Sequence, residues 1–193
     1  MPLELINTLA ALGTFAVIAA TAIAATVQLR HLRRNNQLQA VLALRTERAT
    51  RELDEAFEFV SRQLHVRLQD PAFRAELESA VPPSRETHKE LRLADYYEHV
   101  GTYIKQRLVE EDVYFELANP ERYWDLVAPA IAIYRRKRGP QTYENFEYLV
   151  VRERAWNEAH PGGTFPRTHR RLVLDDTYLG ADRAASDSCD GTL

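Results

Sequence analysis

The sequence predicts an all-α protein, with an N-terminal transmembrane helix continuing into a long helix, then a small cytosolic helical bundle and a disordered tail. Three observations lead there. No charged residue occurs from Leu5 to Leu29. Beyond that run, apolar residues recur at spacings of three, four and seven, and no stretch shows a convincing strand alternation. Proline and glycine fall mostly at the ends of the periodic segments, where helices start and stop. The expected divisions are residues 1–29 for the N-terminal segment and membrane helix, 30–70 for a long juxtamembrane amphipathic helix, 71–172 for the bundle, and 173–193 for an acidic tail.

The membrane window is Leu9 to Leu29, LAALGTFAVIAATAIAATVQL. Its roughly 21 residues, at ~1.5 Å each, reach ~31 Å against a hydrocarbon core of ~30 Å. Thr14, Thr21 and Thr26 can return their hydroxyls to the preceding turn. A cleaved signal peptide would carry positive charge ahead of the apolar run, but that region holds only the amino terminus and Glu4. A buried core helix is shorter and keeps a polar face, and an interfacial helix needs a charged one. The cations come afterwards, as Arg30, Arg33 and Arg34 with His31 beside them. Positive charge at a span end stays cytoplasmic. The expectation is therefore a single-pass inner-membrane protein with its N-terminus outside and its bulk in the cytoplasm. Ala16, Ala20 and Ala24 form a row of small residues that could pack against a second helix. Any alanine-rich span produces such rows by chance, and that reading is preferred.

No Gly or Pro occurs between Gly13 and Pro71. Leu38, Leu42, Ala49, Leu53, Phe57, Val60, Leu64 and Leu68 mark one face of a helix. The expectation is one helix running to about Gln69, bent if anywhere near Asn35-Asn36-Gln37, whose stripe seats the following helices or pairs with a second copy. Arg45 interrupts the stripe and weakens the coiled-coil version. Asp70 and Pro71 restart a helix as cap and first residue. Pro82-Pro83 ends it, and Ser84 is expected to open the next, with Leu93, Tyr97, Val100, Ile104 and Leu108 inward. Asn119-Pro120 repeats the start signal, and Gly139-Pro140 stops that helix. Pro129 lies inside it and predicts a kink or break, because it removes the bond to the Asp125 carbonyl. A last helix from about Thr142 to Ala159 presents Phe146, Leu149, Val150 and Trp156.

Chemical motifs are scarce. None of the six histidines has a Glu three residues before it, and one cysteine cannot build a thiolate zinc site. H-E-x-x-H, G-x-S-x-G, a P-loop and G-x-G-x-x-G are missing. Neither a metal nor a cofactor is expected, and the chain reads as a non-enzyme. Asp95 and His99, four residues apart on one helix, are the first suspects if it is an enzyme or effector tethered to the membrane. Glu110, Glu111 and Asp112 read as favourable charges at a helix N-terminus. The one dense charge run is Arg135, Arg136, Lys137 and Arg138. It reads first as cations at a helix C-terminus, and second as a contact for anionic lipid, with nucleic acid the less favoured partner. The formal net charge of −3 selects no anionic partner for the chain as a whole.

The stretch YYEHVGTYIKQRLVEEDVYFELANPERYWDLVAPAIAIYRRKRGPQTYENFEYL, preceded by the apolar run and QLRHLRRNNQ, resembles a bacterial family of small single-pass proteins catalogued only as a domain of unknown function. The likeness runs from about Ile18 to Glu153. Its most specific pieces are EED after a helix end, RYW, the basic run before GP, and YENFEYL. It implies an N-terminal membrane helix with a helical cytosolic part, and it brings no assigned functional residues. The function expected is that of an interaction or scaffold module at the inner membrane face. Its partners are a protein or a second copy, and lipid headgroups near Arg30, Arg33 and Arg34.

Overall fold

The computed structural model describes residues 2–172, and the predicted acidic tail lies outside the described residues. The described residues are helical throughout, with no strand. Eight helices follow in order: α1 (Leu3–Arg48), α2 (Arg51–Arg62), α3 (Leu64–Arg67), α4 (Pro71–Glu78), α5 (Lys89–Lys105), α6 (Glu111–Phe115), α7 (Pro120–Arg138) and α8 (Glu144–Ala159). They fall in one compact unit, and a second unit begins at Gly162. In that second unit Arg171 donates to the Gly162 carbonyl and lies over Phe165.

Helix α1 is one unbroken rod of 46 residues that passes Asn35-Asn36-Gln37 without interruption. It holds the one stretch among the described residues that is long and apolar enough to cross a membrane, and none of its apolar window is buried. The Thr21 and Thr26 hydroxyls donate to the carbonyls of Val17 and Ala22, as the sequence leads one to expect.

The rod does not run on to Gln69. It stops at Arg48, and Thr50 is extended, with φ −76° and ψ 143°. The Thr50 hydroxyl donates back to the Glu47 carbonyl at 2.8 Å, the kind of local bond that competes with helix continuation. Arg48 reaches across the joint to Asp54 at 2.6 Å and lies over the Phe57 ring. The turn carries Leu53, Phe57, Val60 and Leu64 into the core, while Leu38 and Leu42 stay exposed and Leu44 near the end of α1 is buried. The predicted stripe is therefore split between two helices. Its Leu53–Leu64 part is used up inside the monomer and is not free for a second copy. Residues 51–67 belong to the bundle, and the long amphipathic helix expected over 30–70 ends less than halfway along that span.

Two other expectations differ in detail. Ser84 opens a turn instead of a helix, its Oγ accepting from the Glu86 amide, and α5 begins at Lys89. Helix α7 is assigned continuously through Pro129. Pro129 lies on the exposed side of α7, where the Asp125 carbonyl that it leaves unbonded can turn to solvent. The cap signals read at Asp70 and Asn119 hold, with their side chains accepting from Ala72 and Arg122 amides.

The core is aromatic. Tyr97 stacks on Phe146 at 4.6 Å, Trp124 meets the same ring edge-on at 5.0 Å, and Phe57 meets Tyr123 at 4.7 Å. Each fully buried large side chain contributes about 1.5–3 kcal/mol, and each ring pair adds about 0.5–1.5 kcal/mol. Helices α5 and α8 approach so closely that a methyl group on Gly101 would collide with the Asn145 carbonyl.

Candidate functional site

Buried and half-buried polar groups lock the bundle. Glu98 on α5 accepts from the Phe146 amide and the Asn145 side chain, both at 2.8 Å. It thereby caps α8, whose own N-cap residue Tyr143 makes no side-chain capping bond and sits in the left-handed region at φ 60°. Glu153 on α8 does the same for α7, accepting from the Glu121 amide at 2.6 Å. Burial pushes its carboxyl up to about 7, helped by the Glu121 charge and opposed by the accepted amide and Arg154. His88 is fully buried, stacked on Phe73, with Glu90 at 2.7 Å and Glu76 at 2.9 Å on its two ring nitrogens. Burial works against its protonation, but the two carboxylates outweigh it and raise its pKa. The trio joins α4 to α5, with His88 and Glu90 sealed in the core and Glu76 reaching in from the surface.

The residues singled out by sequence fare differently. Arg30, Arg33 and Arg34 lie exposed on one side of α1, directly after the apolar window. Arg135 donates to the Thr142 and Tyr143 carbonyls and to Glu147, so it braces the left-handed turn. Arg138 lies over Tyr134 and donates to the Leu77, Ser79 and Tyr134 carbonyls. Arg136 and Lys137 alone remain outward, with Arg136 at 3.9 Å from Glu78. The run is thus half structural. Asp95 and His99 are not brought together. Asp95 is held by the Arg85 fork at 2.6 and 3.2 Å and by the Tyr143 hydroxyl at 2.9 Å. His99 faces Glu47 at 3.6 Å. Of the acidic triplet, Glu111 pairs with Arg152, Asp112 accepts from the Trp156 indole, and Glu110 accepts from Gln37 on α1. Among the described residues no group of three His, Cys, Asp or Glu could hold a metal ion.

A concavity with an aromatic wall went unread in the sequence. It has a volume of about 450 Å³ and lies where the last turns of α1 meet α2, α5, α6 and the start of α7. Phe57, Tyr96, Tyr97, Tyr114 and Tyr123 make its rings, and Arg45, Arg48 and Arg122 supply its charge. No carboxylate lines it. Burial raises the Tyr96, Tyr97 and Tyr114 phenols above the ordinary tyrosine value, so all three stay protonated. The Tyr114 oxygen is shut off from solvent and makes no hydrogen bond, although Tyr96 lies beside it.

The family model described as a domain of unknown function (DUF4760) matches residues 15–153, well over half of the sequence. The chain belongs to that family. No curated protein and no solved structure matches it.

Proposed function

We propose that this member of the DUF4760 family is a single-pass membrane protein that holds a non-enzymatic helical binding module at the inner face of the membrane, with its N-terminus outside. The observation that carries the reading is the character of α1: an apolar window with no residue buried against the fold, followed at once by Arg30, Arg33 and Arg34. An unburied apolar cylinder of that length is costly in water and at home in lipid. The arginines favour the cytoplasmic side and gain on the order of 1 kcal/mol each beside anionic headgroups. The binding role is favoured over catalysis because His88, Glu90 and Glu153 are sealed in the core and Asp95 is committed to Arg85 and Tyr143. A protein partner or second copy would meet the chain along α1, where Leu38 and Leu42 stand exposed one turn apart.

The sole cysteine, Cys189, follows the apolar run in sequence while the N-terminus precedes it, which gives a direct test. In sealed right-side-out vesicles, a membrane-impermeant maleimide should leave Cys189 unlabelled until detergent is added. In a variant carrying Asn7→Cys and Cys189→Ser, the same reagent should label without detergent. Recovery of the full-length chain in the soluble fraction, a product shortened by cleavage after the apolar run, or the reverse labelling pattern would each overturn the reading.

A further inference from the structure

We propose that the cavity between the end of α1 and the bundle binds a small, water-soluble anion that carries a flat ring, a phosphorylated or carboxylated aromatic compound. This goes beyond the general binding role, and every residue it uses lies past the apolar window.

The charge argument comes first. The chain has more acidic than basic residues, 28 against 25, yet this cavity is lined by three arginines and no carboxylate. Arg45 and Arg122 are exposed, and neither side chain makes an ion pair or hydrogen bond to a described residue. Arg48 commits one nitrogen to Asp54 and leaves the rest of its fork free. Arginine forks match phosphate and carboxylate geometry, and bonds of this kind are the strong ones. In the bundle Arg85, Arg135, Arg138 and Arg152 have partners, whereas Arg92 and Arg107 are unpaired like Arg45 and Arg122. What sets Arg45 and Arg122 apart is that both line one concavity beside Arg48.

The walls supply the second argument. Rings from four helices make an aromatic surround for a flat body, and the Tyr96 and Tyr97 phenols remain donors. At about 450 Å³ the space falls in the range of about 300–1,000 Å³ typical of small-molecule sites. A ring bearing one anionic group fits it. A lipid headgroup is the other source of the same charge, but the 16 residues from Leu29 to Arg45 set the cavity ~24 Å along the helix from the end of the apolar window.

The test uses the full chain in nanodiscs of neutral phosphatidylcholine and titration calorimetry. AMP, phenyl phosphate and benzoate are each compared with an uncharged counterpart: adenosine, phenol and benzamide. At least one anion should saturate with a Kd of about 1 mM or tighter and bind at least tenfold more tightly than its counterpart. Arg45→Gln combined with Arg122→Gln should weaken it about tenfold or more. Arg136→Gln combined with Lys137→Gln, an equal change of net charge, should leave it unaltered. Both cavity arginines are exposed and unpaired, so the double variant should keep the wild-type melting curve. The proposal is overturned if none of the three anions saturates, if charged and uncharged probes bind alike, or if the distant pair weakens binding as much. It is also overturned if phosphatidylglycerol in the disc displaces the bound anion, which would identify a lipid occupant.

Discussion

Replacing Glu153 with Gln preserves the shape of the side chain and its acceptor oxygen while removing the charge. The carboxyl is 3 % exposed and accepts one backbone amide, that of Glu121. Burial raises its pKa from 4.5 to about 7. A carboxyl raised in this way binds its proton more tightly folded than unfolded. Its contribution to stability is therefore fully present below pH 4.5 and is lost as pH climbs through 7. At about 1.36 kcal/mol per pH unit, the whole shift corresponds to about 3 kcal/mol, of which about 2.5 kcal/mol falls between pH 5 and pH 8. Glutamine has no proton to lose. The variant should thus match the wild type closely at pH 5 and gain on it steadily to pH 8. For a chain of this size that gain is about 5–10 °C in Tm. Thermal unfolding of both proteins in a neutral detergent, followed by far-ultraviolet circular dichroism at four pH values, reads the difference directly, because all other titrating groups cancel. A constant offset between the two curves would refute the reasoning.

His88→Ala leaves Glu90 buried without its partner and should cost about 3–5 kcal/mol near pH 6. Because the pKa of His88 is raised, that loss should shrink as pH rises through its folded value, measured by denaturant unfolding at pH 6 and pH 9. Gly101→Ala should destabilise by about 1–3 kcal/mol through collision with the Asn145 carbonyl. Alanine is the better helix former, by about 1 kcal/mol, so a higher Tm would show the approach of α5 and α8 to be looser than described. Arg138→Ala removes a side chain bonded to three carbonyls and should lower stability by about 1–3 kcal/mol, while Lys137→Ala stays within about 0.5 kcal/mol. Equal effects in urea titrations would return both residues to an ordinary solvated surface.

Local rules carried much of the fold. The Asp70-Pro71 and Asn119-Pro120 starts rest on neighbouring atoms, as do the Gly139 stop and the threonine bonds in α1, and they could be read directly. The break at Ala49-Thr50 could not, because the sequence there contains no Gly or Pro. The turn is favoured by what lies beyond it: Leu53, Phe57 and Val60 find their places against α5 only if the chain changes direction. The buried acids escaped for a similar reason. Glu98 caps a helix 48 residues later and Glu153 one 32 residues earlier, intervals at which no spacing rule operates. The arginine run at 135–138 looked like a surface feature, yet two of its members bond to carbonyls from Leu77 to Tyr143 that only the fold brings near. The cavity draws residues from α1 to α7, and a tyrosine read alone gives no sign of whether it fills a core or faces a hollow.

The unbroken course of α1 ties distance to heading. Every residue in such a rod adds ~1.5 Å of length and ~100° of rotation. Removing a single residue between Arg34 and Gln37 would scarcely change how far Leu44 stands from Leu29, but would swing the whole bundle through more than a quarter circle. Removing seven would shorten the stalk by ~10 Å and turn it by only ~20°. Natural length changes in this interval, if the bundle must greet a neighbour sideways, should therefore come in sevens or elevens and seldom in ones.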